Sequence, residues 1–260
     1  MAEAWQQGTI EASQITEPLL KVAIFGQPKS GKSWFAATAP GPILVYDFDE
    51  RGASIAGREN VFVKTMVDRD PLRPTAWQQL ETDLSTFKAA KIKGTPLPAT
   101  FVFDSVTYMR KALENAIFYD SPNLCSSIKI GGRSVKIGRS FDYINAVVGN
   151  MEYMINSFAA LGNVVFVYHE TAEKDKVRSK GLEIVYTGRM TIDPNYLAKT
   201  LSLFNEVFHI EVTKEGKYEI TTQPTSDTPT ATTLRVDKLE KPDLGYLLAK
   251  HREAVAKTKK

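Results

Sequence analysis

The chain has 260 residues, 43% hydrophobic and 24% charged, with a formal net charge of +3. That length suffices for one large domain with a buried core, or one domain with appendages, and the weak charge does not by itself indicate nucleic acid, so such a partner must be argued from local clusters. A single cysteine, Cys125, excludes an intrachain disulfide framework and a cysteine-rich zinc site; the opening MAEAWQQGTIEASQ lacks the features of a signal peptide, and no apolar run approaches the ~20 residues that span a bilayer, so the expectation is a cytoplasmic protein without a membrane partner.

Residues 1–18 are polar and mixed and read as an N-terminal arm or an edge strand. LLKVAIFG (19–26) is a short apolar run ending at glycine, the signal of a buried strand. KSWFAATA reads as a helix closed by Pro-Gly-Pro at 40–42. ILVYDFD (43–49) predicts a second strand, with Asp47 and Asp49 on one face and Phe48 on the other, and ENVFVKTM a short third. Trp77, Leu80, Leu84 and Phe87 recur at helical spacing behind Thr75, which stands at the N-cap position. ATFVFD (99–104) is another buried strand and VTYMRKALENAIFY a helix, while residues 121–140 read as irregular. FDYINAVVGNMEYMINSFAAL carries Val147, Met151, Met154, Ile155 and Phe158 as an amphipathic helix, and NVVFVYH (163–169) is a strand.

After about residue 170 the period changes. EVFHIEVTKEGKYEITTQ reads as a hairpin about Glu215-Gly216, ATTLRV as a further strand, and PDLGYLLAKHREAVAK as a last helix leading into a basic tail. Strands alternating with helices argue an α/β fold, a mainly parallel sheet flanked by helices, with the hairpin extending it antiparallel. The organisation is an arm (1–18), a core (19–245), and a helix end with basic tail (246–260).

GQPKSGKS, Gly26 to Ser33, has the spacing G-x-x-x-x-G-K-[ST] between an apolar strand and a helix. Glycines let the backbone wrap close to phosphate oxygens, and loop N–H groups with the helix N-terminus then face the anion. The nucleotide-binding segment is Gly26, Gln27, Pro28, Lys29, Ser30, Gly31, Lys32 and Ser33, with Trp34 following. Lys32 is placed to reach the β- and γ-phosphates and Ser33 to bind Mg²⁺. Asp104, after four residues of apolar strand, is the candidate acid that holds the ion through water. No N-K-x-D guanine signature occurs, so ATP is the expected nucleotide.

This order, a phosphate loop, a strand ending in an acid, a strand ending in Asp-Ser and a strand ending in a polar residue, resembles the RecA-like P-loop ATPases. More closely it resembles the phage-encoded nucleotide-binding AAA-domain family, which includes RecA-like single-strand-annealing recombination proteins. The resemblance spans about residues 19 to 245. It rests on KVAIFGQPKSGKS, ILVYDFDERG, TFVFDSV, NVVFVYHE and LFNEVFHI, of which the first and third are specific for a phosphate-loop ATPase.

The resemblance implies that the acid of the second strand orients the attacking water. Counting from Asp47 selects Asp49; counting back from Gly52 selects Glu50, and strand phase favours Asp49. Relatives often carry Glu there, so the shorter Asp implies hydrolysis that is slow or stimulated by DNA. His169 falls where the family senses the γ-phosphate. The two loops that face DNA in that family correspond to residues 121–140, with Lys129, Arg133, Lys136 and Arg139 and no acid, and to 170–182, with Lys174, Lys176, Arg178 and Lys180. Neutralising phosphates releases counterions, so binding that tracks the backbone of single-stranded DNA is expected. Such ATPases assemble, with a neighbour's cation completing the site; Arg235 and Lys238 are the candidate trans-acting residues. The implied partners are single-stranded DNA, further copies of the chain in a ring or filament, and a single-strand-binding protein. Two other readings stay open: a small-molecule phosphotransferase, and an assembly protein that binds ATP without hydrolysing it.

Overall fold

The computed structural model describes residues 19–70, 72–130, 133–138, 141–174, 184–190, 200–225 and 228–258. Its elements are β1 (Lys21–Gly26), α1 (Lys32–Ala36), β2 (Ile43–Asp47), β3 (Val61–Thr65), α2 (Ala76–Ile92), β4 (Thr100–Asp104), α3 (Val106–Asp120), β5 (Ser126–Ile130), β6 (Arg133–Ile137), α4 (Phe141–Ala159), β7 (Asn163–Lys174), β8 (Ile184–Met190), β9 (Glu206–Val212), β10 (Tyr218–Thr221), β11 (Leu239–Glu240) and α5 (Leu244–Thr258). The main sheet runs β11-β10-β9-β1-β7-β4-β2-β3, with β8 paired to β7 beyond the sheet body. From β9 to β3 all pairings are parallel; β10 and β11 add antiparallel. No helix among the described residues is long and apolar enough to cross a membrane.

Both faces of the parallel strands are buried, which is why they read as continuous apolar runs. Successive side chains alternate between two cores. Ala23, Phe25, Tyr46, Phe101, Phe103 and Phe166 pack under α2, α3 and α4, whereas Val22, Ile24, Val45, Val102 and Val167 pack under α1 and α5. Phe103 stacks on Phe166 with centroids 4.4 Å apart. Truncating either ring to alanine costs about 3–5 kcal/mol by lost burial and the cavity left behind.

Several elements depart from the sequence expectation for physical reasons. Strand β2 stops at Asp47, not residue 49, because the Asp47 carboxylate accepts the backbone N–H groups of Asp49, Arg51 and Gly52 at 3.3, 3.1 and 2.7 Å and turns the chain at once. The described residues between 121 and 138 are not irregular: a short 3-10 turn at Pro122–Leu124 leads into the paired strands β5 and β6. Strand β7 does not end at 169 but continues to Lys174, pairing with β8 as an antiparallel ribbon. The expected strand at ATTLRV is absent. Its threonines instead hold the buried carboxylate of Glu206, Thr232 Oγ1 donating at 2.5 Å and the Thr233 N–H at 3.2 Å, and Ala231 makes a lone bridge to Val207. Thr75 occupies the N-cap of α2 without a side-chain bond; Asp68 Oδ1 accepts the N–H groups of Thr75 and Ala76 at 2.8 and 2.9 Å. Helix α5, by contrast, forms where the sequence predicts the last helix, with Leu244, Leu247 and Leu248 in the core.

Candidate nucleotide site

Parallel pairing brings the C-terminal ends of four strands into one line. Gly26 lies beside His169, and Asp104 lies beside both Val167 and Asp47. Strand β7 therefore separates the phosphate-loop strand from the strand that ends in Asp104. Ligands of open α/β sheets bind in the crevice beyond such strand ends.

The loop geometry follows from its residue types. A Cβ at Gly26 would stand 2.1 Å from the Ile210 carbonyl oxygen on β9, so only glycine fits there. Gly31 takes a left-handed conformation (φ 89°) at the N-cap of α1 and offers no capping side chain. The first N–H groups of that helix have no intrahelical carbonyl to bond. Lys32 curls back inside the loop, its Nζ donating to the carbonyls of Gly26 and Gln27 at 2.9 and 2.6 Å. Burial lowers its pKa from 10.5 to about 8, with the nearby carboxylates of Asp104, Glu170 and Asp49 opposing the shift.

Ser33 Oγ donates to Asp104 Oδ2 at 2.5 Å. Burial pushes Asp104 up to about 6, held back by that bond and raised further by Asp49 and Asp47. The Asp104–Ser105 peptide is cis. A hydroxyl on a buried carboxylate, beside the phosphate loop, is a donor set that fits a magnesium ion shared with phosphate. Among the described residues no group of three or more His, Cys, Asp or Glu could hold a metal unaided.

The three acids after β2 have separate surroundings. Asp47 is spent on the turn. Asp49 is buried, its side chain 5% exposed; Oδ2 meets Arg51 Nε at 3.2 Å, and Oδ1 has no hydrogen-bond partner among the described residues. Burial raises its pKa, Arg51 opposes this and Asp47 adds to it. Glu50 points outward, 48% exposed and bonded to Arg69 at 2.7 Å. The expected alternation of Asp47 and Asp49 on one strand face is wrong, because β2 has already ended; the turn, not the pleat, buries Asp49. His169 is half-buried, its pKa lowered to about 4 by burial and by the charges of Lys32 and Arg51. Trp34 is half-exposed on α1 with the Arg58 guanidinium 3.6 Å from its ring centroid, a cation–π pair beside the loop.

Three participants, Arg51, Glu170 and His209, escaped the sequence reading. Arg51 faces Asp49, and its charge reaches Lys32 and His169. Glu170, next after His169, is buried, acts on Lys32, and lies 3.4 Å from His209 Nε2 on β9. Ser30, already within the predicted loop, has its Oγ buried without a partner among the described residues. An apolar strand carrying one imidazole, VFHI, was the available signal for the Glu170–His209 pair.

The basic candidates are scattered. Lys129 is exposed on β5, the backbones of Arg133 and Lys136 lie on β6, and Lys174 ends β7. Arg139, Lys176, Arg178 and Lys180 fall outside the described residues. Arg235 and Lys238 are not on a strand. Arg235 is held against α5, its N–H donating to His251 Nδ1 at 3.0 Å and its guanidinium to Thr258 Oγ1; Lys238 is exposed just before β11.

A search of curated proteins found no match. The family model for an AAA domain matches residues 19–234, from before β1 to the segment that holds Glu206. That span contains the phosphate loop, Asp104 and the strand order around them. It covers most of the chain and carries with it the binding and hydrolysis of ATP: the protein belongs to the AAA domain family of P-loop NTPases.

Proposed function

We propose that the protein is a magnesium-dependent ATPase that acts on single-stranded DNA as an oligomer, in recombination, annealing or replication of the phage type. The observation that carries the DNA half is the β5–β6 hairpin. It follows directly on the helix after Asp104, exposes Lys129, and belongs to a segment, 121–140, with four basic residues and no acid. Positive charge without compensating acids gives sequence-independent, salt-sensitive affinity.

In the ATPase reaction Lys32 exchanges its two backbone carbonyls for phosphate oxygens. Ser33 and Asp104 would hold a magnesium ion, which would supply neutralisation of charge building on the phosphates. Asp49 orients the attacking water and takes its proton, a role its buried carboxylate suits better than the surface-paired Glu50. His169, kept neutral by its surroundings, senses the terminal phosphate by hydrogen bonding. The Trp34–Arg58 pair forms a shelf for the base. The Glu170–His209 pair links the phosphate loop to the β7–β8 ribbon, which leads into the second basic segment (Lys174, Lys176, Arg178, Lys180). Arg235 or Lys238 of a neighbouring copy completes the site.

The test of the DNA surface is binding of a labelled oligonucleotide across a salt series. Wild type is expected to bind single strands with affinity that falls steeply as salt rises. Joint replacement of Lys129, Arg133, Lys136 and Arg139 by alanine is expected to flatten that slope by about three ions. An unchanged affinity in the quadruple variant overturns the assignment.

A further inference from the structure

The Asp49–Arg51 pair is built unlike an ordinary surface ion pair. Its acid is almost completely buried and its base is 56% exposed. The Arg51 backbone is pinned, its N–H donating to Asp47 Oδ1 at 3.1 Å, while Gly52 N–H donates to Asp47 Oδ2 at 2.7 Å. The guanidinium is thus an exposed arm on a pinned backbone. That backbone lies beside the phosphate loop, because Asp47, which pins it, pairs with Asp104 in the β2–β4 register and Asp104 accepts Ser33 Oγ at 2.5 Å. Nearby Glu50 does not compete for it, being paired with Arg69 on the surface.

Here Arg51 pairs with Asp49, and the Lys32 ammonium is a second cation close enough to repel it. A terminal phosphate alters both conditions. It offers the guanidinium a planar pair of anionic oxygens, a stronger acceptor than one carboxylate oxygen at 3.2 Å. It also screens the repulsion from Lys32. We propose that Arg51 is a positioning residue that distinguishes triphosphate from diphosphate: it restrains Asp49 in the nucleotide-free protein and transfers to the terminal phosphate when ATP enters, releasing Asp49 to the attacking water. The proposal rests on the reading of Asp49 as the water-orienting acid. It implies that the resting enzyme is held inactive within one chain, and that the release signal is the γ-phosphate itself.

The experiment is equilibrium binding of ADP and of AMP-PNP, a non-hydrolysable triphosphate, to wild type, Arg51→Gln, Asp49→Asn and the double variant. Arg51→Gln is expected to weaken AMP-PNP about tenfold, the loss of one charge-assisted bond, and to leave ADP within about twofold. Asp49→Asn frees the arginine and is expected to tighten AMP-PNP by about three- to tenfold. In the Arg51→Gln background that gain is expected to shrink to about twofold or less, the remainder being simple removal of a negative charge. Equal weakening of ADP and AMP-PNP by Arg51→Gln overturns the proposal, as does an Asp49→Asn gain of the same size with and without Arg51. Retained ADP affinity reports that the variants are folded. If wild type binds neither nucleotide, the ATPase reading itself fails; if it binds and hydrolyses ATP but the two substitutions act additively, only the role of Arg51 fails.

Discussion

Replacing Lys32 with methionine separates the charge of the phosphate-loop lysine from its bulk. Its pKa falls from 10.5 to about 8 in the folded protein, so holding the charged form in the empty loop costs about 3 kcal/mol relative to the unfolded chain. Methionine removes that cost but also leaves the Gly26 and Gln27 carbonyls without the ammonium, each worth ~0.5–1.5 kcal/mol. The nucleotide-free variant is therefore expected to be more stable than wild type at pH 7 by up to about 2 kcal/mol, or up to ~6 °C in melting temperature. The sign with pH follows from linkage. The folded pKa is below the unfolded one, so the destabilisation is complete below about pH 8 and fades as pH rises toward 10.5. Calorimetry without nucleotide, at neutral and strongly alkaline pH, reads both effects. The variant should lead at pH 7, the lead should close at high pH, and ATP should stabilise wild type alone. A variant no more stable than wild type at pH 7, or a gap that ignores pH, refutes the reasoning.

Gly26→Ala drives a methyl to 2.1 Å from the Ile210 carbonyl oxygen; it should lower stability by about 1–3 kcal/mol in urea unfolding and abolish nucleotide binding. Asp104 titrates near 6 instead of 3.8, so magnesium-dependent ATP binding should weaken about tenfold per unit below that pH, measured by titration at mildly acid and neutral pH. The same raised pKa means the native state binds this proton before the unfolded chain does, so this group adds stability as pH falls from about 6 toward 4. Asp68→Ala removes the acceptor for two N–H groups at the start of α2 and should cost about 1 kcal/mol, whereas Thr75→Ala should change stability by less than about 0.5 kcal/mol.

Much of the candidate site was legible because its chemistry is local. Gly26 to Ser33 must be contiguous to wrap a phosphate, and Asp104 must end an apolar strand, so both announce themselves in one dimension. The parallel sheet was legible for a similar reason, since strands buried on both faces are apolar throughout. What failed was tertiary bonding by short polar side chains. Asp47 ends β2 through three amides, Asp68 takes the capping role expected of Thr75, and Thr232 and Thr233 serve Glu206 instead of a strand ladder. None of these bonds has a periodicity. The β5–β6 hairpin, by contrast, was a missed signal: SSIKI and RSVKI alternate in period two around Gly131-Gly132, a two-residue turn sequence. Arg51 was passed over because its meaning lies in the burial of Asp49, which only the folded turn creates.

The most direct test of the central claim is ATP hydrolysis with and without single-stranded DNA for wild type, Lys32→Ala, Asp49→Ala and Glu50→Ala. The account predicts turnover that rises with single-stranded DNA in wild type and in Glu50→Ala, and a fall of about a hundredfold or more in Lys32→Ala and Asp49→Ala. Full turnover in Asp49→Ala with loss in Glu50→Ala, or ADP formed only when a nucleoside acceptor is added, would contradict it.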